Sequence, residues 1–156
     1  MKTIRGLLLA VLAVVLLAIP ALHAAAARAD DPGTGALAVA VVGARGDGGK
    51  ICAALYDSAD AFPVADKEKK LSCVEISGGR AAVVFASLAP GNYAVYAFHD
   101  EDGNRTLKTN WIGMPKEGVG TSRGAKGFMG PPKFEDAKIA VKAGTPTAIR
   151  ISLKYL

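Results

Sequence analysis

The chain has 156 residues and a formal net charge of +5 at pH 7, and 51% of its residues are hydrophobic. This length fits a single domain built around one core. The lysines and arginines are dispersed among acidic residues, so the charge excludes an obvious nucleic-acid-binding patch.

The first 29 residues predict a cleaved signal peptide. Lys2 and Arg5 precede an apolar stretch over residues 7–22, and Ala27-Arg28-Ala29 offers the small residues that signal peptidase reads. The alternative is a retained membrane anchor, but the stretch is shorter than the roughly 20 residues of a transmembrane helix. We therefore expect a periplasmic or secreted mature chain, residues 30–156, that meets a membrane only through the signal peptide before cleavage.

Removal of the signal peptide lowers the net charge. The loss of Lys2, Arg5 and Arg28 leaves 16 of the 19 basic residues against 14 acidic ones, a net charge of +2. The high isoelectric point is thus partly a property of the signal peptide, and we expect no nucleic-acid partner.

The mature chain contains two cysteines, Cys52 and Cys73. In an oxidising compartment an even number of cysteines favours a disulfide. Two cysteines are too few for a structural zinc site with four ligands, and no C-x-x-C motif suggests a redox role. The sequence therefore predicts a structural Cys52–Cys73 disulfide.

Short apolar runs separated by turn signals predict about seven β-strands. The runs lie at residues 37–42, 50–56, 71–76, 80–88, 92–98, 137–142 and 147–153. The runs at residues 137–142 and 147–153 alternate apolar and polar residues, as in strands with one solvent-exposed face. By contrast, the run Tyr93 to Phe98 is apolar or aromatic on both faces, which predicts a central strand covered on both sides.

Connections between these runs complete the predicted fold. The glycine-rich stretch 43–49 predicts a β-hairpin between the first two strands. Phe62 is expected to pin the charged loop 57–70 to the core, and Pro90-Gly91 predicts a tight turn before the central strand. We predict an all-β fold: a single antiparallel immunoglobulin-like or prealbumin-like sandwich with one long Gly/Pro-rich loop.

The long loop, residues 99–136, is the candidate functional surface, because loops beyond about 12–15 residues are usually functional or disordered. At its start, Asp100, Asp102 and Asn104 alternate like the oxygen ligands of a hard cation such as Ca²⁺. Arg105 stands where an EF-hand has its glycine, and turn formation alone also explains Asp and Asn at a strand end.

Two aromatic side chains of the long loop have alternative interpretations. His99 can serve as a general base or metal ligand, but the mature chain has no second histidine, so a hydrogen bond to a neighbouring loop is favoured. Trp111, the only tryptophan, can form a ligand platform or anchor the loop. The length of the loop favours the anchor.

Catalytic motifs are missing from the sequence. It contains no G-x-S-x-G element, and the pair Glu135-Asp136 follows Phe134, which indicates packing at the start of a strand rather than paired-carboxylate catalysis. We therefore do not expect an enzyme and assign no catalytic residue.

Four ordered motifs together resemble a known family. They are Pro90-Gly91-Asn92-Tyr93, His99-Asp100-Glu101-Asp102-Gly103-Asn104, Asn110-Trp111-Ile112-Gly113-Met114-Pro115-Lys116-Glu117-Gly118 and Gly130-Pro131-Pro132-Lys133-Phe134-Glu135-Asp136-Ala137. The family is the exported bacterial domain of unknown function 2141 (DUF2141). The resemblance implies export and a β-sandwich but no activity. Members tend to have an acid where this chain has Lys108, and the difference weakens a cation site here.

The sequence thus predicts a binding or cell-envelope accessory module with an unidentified protein or glycan ligand. The candidate ligand-binding residues are His99, Asp100, Asp102, Asn104, Asn110, Trp111 and Glu117. No cofactor is assigned, although calcium at Asp100, Asp102 and Asn104 is considered. The alternative is a metal-dependent enzyme or a calcium-stabilised structural domain at residues 99–104.

Overall fold

A computed structural model describes residues 33–128 and 130–156; the predicted signal peptide lies outside them. The strands are β1 Gly35–Val42, β2 Lys50–Tyr56, β3 Lys70–Glu75, β4 Arg80–Leu88, β5 Gly91–Asp100, β6 Val119–Thr121, β7 Ile139–Val141 and β8 Pro146–Ser152. Between β6 and β7 lie a 3₁₀ turn, Ser122–Gly124, and a one-turn helix, α1, Phe134–Ala137. In this part of the chain, no helix has the length and apolar character needed to cross a bilayer.

The strands form two packed sheets, so the predicted sandwich is confirmed. One sheet has the order β4-β1-β8, and the other has the order β3-β2-β5-β6, with β7 paired to the first residues of β5. One feature differs from the antiparallel prediction, because β1 and β8 pair in parallel. A parallel pair needs a long connection between its strands, and the intervening chain from 43 to 145 provides it.

The predicted hairpin between β1 and β2 is wrong. β1 pairs with β4 and β8, whereas β2 pairs with β3 and β5 in the other sheet. Residues 43–49 therefore cross between the sheets, which lie about 10 Å apart in packed sandwiches. The backbone N–H groups of Gly43 and Ala44 donate to the Gly79 carbonyl, at 3.0 and 3.1 Å, and fix the start of this crossing.

β5 is covered on both faces, as predicted. Its side chains Tyr93, Val95 and Ala97 join the core between the sheets. On the opposite face Ala94 belongs to a second cluster, formed with Ala54, Tyr56, Phe62, Phe134 and Ala137. Helix α1 and the loop after β2 thus shield the outer face of the five-stranded sheet from water.

Phe62 is central to this second cluster. Its ring packs edge-on against Tyr56 and Phe134, with centroid distances of 5.3 and 6.2 Å. Such aromatic pairs add to the free energy gained by burial alone. The prediction that Phe62 pins its loop is confirmed, and so is the packing role of Phe134.

The long loop contains more regular structure than the sequence predicts. β6 pairs with Tyr96–Phe98 of β5. The buried Ser122 hydroxyl accepts a hydrogen bond from Val95 N (3.0 Å) and donates to the Ala137 carbonyl (2.6 Å). The second half of the loop is therefore tied to β5, and residues 101–118 form a separate excursion between β5 and β6.

Cys52 and Cys73 form the predicted disulfide. They are directly opposed in the antiparallel β2–β3 pair, with a Cα–Cα distance of 4.0 Å. β3 is an edge strand of the five-stranded sheet, so the bridge fastens this edge to the buried strand β2.

Reduction of the disulfide should lower the free energy of unfolding by about 3 kcal/mol, because the cross-link restricts the unfolded chain. Urea unfolding of the oxidised and reduced protein measures the difference. An unchanged midpoint after reduction, with free thiols verified by mass, would contradict a stabilising role for the bridge.

Candidate functional site

The candidate site begins where β5 ends, at the buried residue Asp100. Its Oδ1 accepts hydrogen bonds from the backbone N–H groups of Gly103 (3.0 Å) and Asn104 (3.1 Å), and its Oδ2 accepts one from Arg105 N (2.8 Å). One carboxylate thus closes the turn that follows the strand, which is the turn-forming role considered for this residue.

Glu117, also buried, fixes the same segment from its other side. Its Oε1 accepts from Glu101 N (3.0 Å) and its Oε2 from Lys108 N (2.9 Å). Hydrogen bonds from backbone N–H to an ionised carboxylate are roughly twice as strong as neutral ones. Glu117 was predicted as a ligand-binding residue; the structure shows it binding the protein's own backbone.

Asp102 lies beside these two carboxylates but is exposed. Its Oδ2 is 2.7 Å from Lys108 Nζ, and this hydrogen bond holds the pKa of Asp102 below its ordinary value. Asn104, the third predicted cation ligand, accepts a hydrogen bond from Thr106 N through its Oδ1 (2.7 Å).

Asp100, Asp102 and Glu117 are the side chains of this segment that could serve as cation ligands. One oxygen from each of Asp100, Asp102 and Glu117 lies within 4.8 Å of the others. However, Asp100 and Glu117 together accept five backbone N–H groups, and Lys108 supplies the cation beside Asp102. Calcium takes six to eight oxygen ligands. The arrangement therefore favours a hydrogen-bonded turn, and calcium binding stays a prediction.

His99 is buried at the end of β5 with both ring nitrogens engaged. Nε2 lies 2.7 Å from the Gly48 carbonyl and Nδ1 lies 2.7 Å from the Tyr155 hydroxyl. A carbonyl only accepts, so Nε2 donates to Gly48, and Nδ1 shares a hydrogen bond with the Tyr155 hydroxyl and lies 3.7 Å from Glu101 Oε1. The favoured interpretation, a histidine bonded to a neighbouring loop, is confirmed.

Arg45 and Tyr155 complete this end of the sandwich. Arg45 N donates to the Tyr155 hydroxyl (2.9 Å), and the guanidinium stacks over the Tyr155 ring with its carbon 4.8 Å from the centroid. The same guanidinium pairs with Glu101 Oε2 at 2.5 Å. Sequence reasoning missed both residues, because no local pattern links positions 45, 101 and 155.

Between Lys108 and Lys116 the chain forms a small hairpin, called here the tip hairpin. Lys116 N donates to the Lys108 carbonyl (2.9 Å), and Asn110 N donates to the Met114 carbonyl (2.8 Å). The Asn110 side-chain oxygen accepts from the N–H groups of Ile112 (3.0 Å) and Met114 (2.9 Å). The predicted ligand residue Asn110 therefore organises the turn.

The tip hairpin presents apolar side chains to solvent. Trp111 is 94% exposed, Ile112 59% and Met114 44%. The interpretation of Trp111 as an anchor is wrong, since its side chain is not buried against the core. The carboxylates of Asp100 and Glu117 order the excursion through backbone hydrogen bonds, so no aromatic anchor is required.

The variant Glu117→Gln should lower the free energy of unfolding by about 2 kcal/mol, because an amide loses the charge and one of the two buried oxygens that accept backbone N–H groups. Urea denaturation measures this change. Glu135→Gln, the same substitution at a side chain that is 68% exposed, serves as control and should have little effect. Equal effects of the two substitutions would contradict the structural role of Glu117.

Comparison with known families yields a match over most of the chain. The sequence profile of a family described as "Uncharacterized protein conserved in bacteria (DUF2141)" matches residues 39–150. Searches of curated proteins and of solved structures found no significant match. The matched range extends from β1 into β8 and includes Asp100, Glu117 and the whole tip hairpin. The match covers well over half of the chain, and the chain therefore belongs to the DUF2141 family.

Proposed function

We propose that the protein is an exported binding module whose working surface is the tip hairpin. The observation that supports this most strongly is the exposure of Trp111, the only tryptophan of the chain, on an ordered turn. Export rests on the signal peptide predicted at residues 1–29.

The composition of the tip supports a binding role. Isolated exposed apolar residues are normal on protein surfaces, but here Trp111, Ile112 and Met114 lie within four positions of one turn. Turns usually expose Gly, Asn, Asp or Ser. Tryptophan and methionine are enriched in the cores of interfaces, and tryptophan is frequent among the residues that contribute most to binding. A partner that buries these side chains would gain their hydrophobic free energy.

The order of the tip also supports this role. Asn110 fixes the turn, and Glu117 fixes the backbone at Lys108, where the hairpin begins. Ordering a loop on binding costs free energy, and a preorganised loop avoids much of that cost.

The enzyme alternative has less support among the described residues. His99 uses both ring nitrogens in protein contacts, and Asp100 and Glu117 accept backbone hydrogen bonds. Groups that would serve as a base or acid are thereby engaged in contacts within the protein. Binding is thus the better-supported function.

Sedimentation of envelope fractions with the purified exported protein tests the proposal. The fractions are inner membrane, outer membrane and peptidoglycan sacculi. We expect the wild-type protein to bind one of them, and Trp111→Ser to weaken that binding at least about tenfold, or 1.4 kcal/mol.

Phe128→Ser is the matched control, because Phe128 is 92% exposed elsewhere in the long loop. Its binding should equal that of the wild type, and both variants should keep the wild-type melting temperature. Equal binding by wild type and Trp111→Ser, or equal loss in the two variants, would contradict a specific role for the tip.

A further inference from the structure

We propose that the partner of the tip hairpin is an anionic lipid surface, into whose headgroup region Trp111, Ile112 and Met114 insert. This inference rests on the proposed function of the tip and names its partner.

The shape of the tip fits a lipid interface. Its exposed apolar side chains follow one another at the apex of a hairpin, which is a projecting feature rather than a cavity. Small-molecule ligands usually bind in concave sites. The three-stranded sheet carries only an open depression of about 510 Å³, beside Ala40, Ala82 and Arg150, away from the tip. A projecting apolar turn can enter the fluid headgroup layer, where the amphipathic ring of tryptophan is enriched.

Charge around the tip hairpin favours an anionic surface. Asp102 is paired with Lys108, and Glu101 is paired with Arg45. Among the described residues, the exposed cations Arg105 and Lys116 have no ion-pair partner. Within the excursion, residues 101–118, the exposed charges left unpaired are therefore positive.

When the two remaining carboxylates are counted, the four cations Arg45, Arg105, Lys108 and Lys116 face four acids, so the excess of positive charge exists only among the exposed groups. Asp100 and Glu117 are buried beneath the excursion and accept backbone N–H groups. Each lysine or arginine close to an anionic leaflet contributes about 1 kcal/mol to attraction. A few inserted side chains with so few cations give weak, reversible binding rather than a stable anchor.

The sequence alone predicts no membrane contact for the mature chain, since it has no basic cluster. Only the fold shows that Arg105 and Lys116 lack ion-pair partners. The acids of the excursion pair instead with Arg45 and Lys108 or accept backbone N–H groups. The apolar tip likewise becomes visible only once Trp111 is seen to be exposed.

Trp111 reports on this interaction directly, because it is the only tryptophan. The purified exported protein is mixed with vesicles of equimolar phosphatidylglycerol and phosphatidylcholine, or of phosphatidylcholine alone. We expect the fluorescence of Trp111 to shift to shorter wavelength with the anionic vesicles, to be quenched by brominated lipid, and to revert when salt is added.

Two charge-reversal variants test which end of the protein faces the membrane. Lys116→Glu should weaken binding to anionic vesicles about 30-fold, because it changes the charge at this position by two units. Lys67→Glu is the control, because its loop follows Tyr56, which pairs with Ala94 at the end of β5 remote from Asp100. This control should bind like the wild type.

Each result separates the two proposals. If anionic vesicles leave the Trp111 emission unchanged while Trp111→Ser still loses envelope binding, the lipid inference is wrong and the binding function stands with another partner. If vesicles and envelope fractions both fail to bind, both proposals are wrong. Equal weakening by Lys67→Glu and Lys116→Glu would show attraction by net charge alone and would also overturn insertion of the tip.

Discussion

The structure of the candidate surface depends on two buried carboxylates, Asp100 and Glu117. A charge removed from water is costly unless hydrogen bonds compensate it. Here the compensation comes from five backbone N–H groups of the segment that follows β5. Those bonds form only when the segment adopts one conformation, so the carboxylates select it. The excursion is therefore ordered by polar contacts, and the apolar side chains Trp111, Ile112 and Met114 are left exposed.

The sandwich supplies the rigid base that these carboxylates need. β5 is held by the core on one face and, over its first half, by the Phe62 cluster on the other, so the strand that ends at Asp100 is fixed within the sandwich. On the same end, His99 and Tyr155 connect β5 to the crossing between the sheets and to the C-terminal residues. The buried strand β5 thus ends in a hydrogen-bonded turn, and the apolar tip lies in the excursion that follows this turn.

Features determined by local pattern were predictable from the sequence. Apolar runs, some with period-two alternation, and turn residues indicated the strands; a run that is apolar on both faces indicated the covered strand β5, and a phenylalanine in a charged loop indicated the pin at Phe62. The cysteine count indicated the bridge. The hairpin between β1 and β2 was predicted wrongly because a glycine-rich stretch allows a crossing as readily as a reversal. The parallel β1–β8 pair and the contacts of Arg45 with Glu101 and Tyr155 depend on residues distant in sequence. Trp111 was misjudged for a related reason: nothing local indicates that Glu117 already holds the loop.

The most direct test of this account is amide hydrogen exchange at Glu101 and Lys108, measured by NMR in the native protein. Both N–H groups lie in a surface excursion, yet they donate to the buried Glu117 carboxylate. The account predicts that both exchange far more slowly than unstructured amides and that this protection disappears in Glu117→Ala, which keeps neither acceptor oxygen, while the amides of β5 remain protected. Exchange at the unstructured rate in the wild-type protein would contradict the claim that the carboxylate orders the loop.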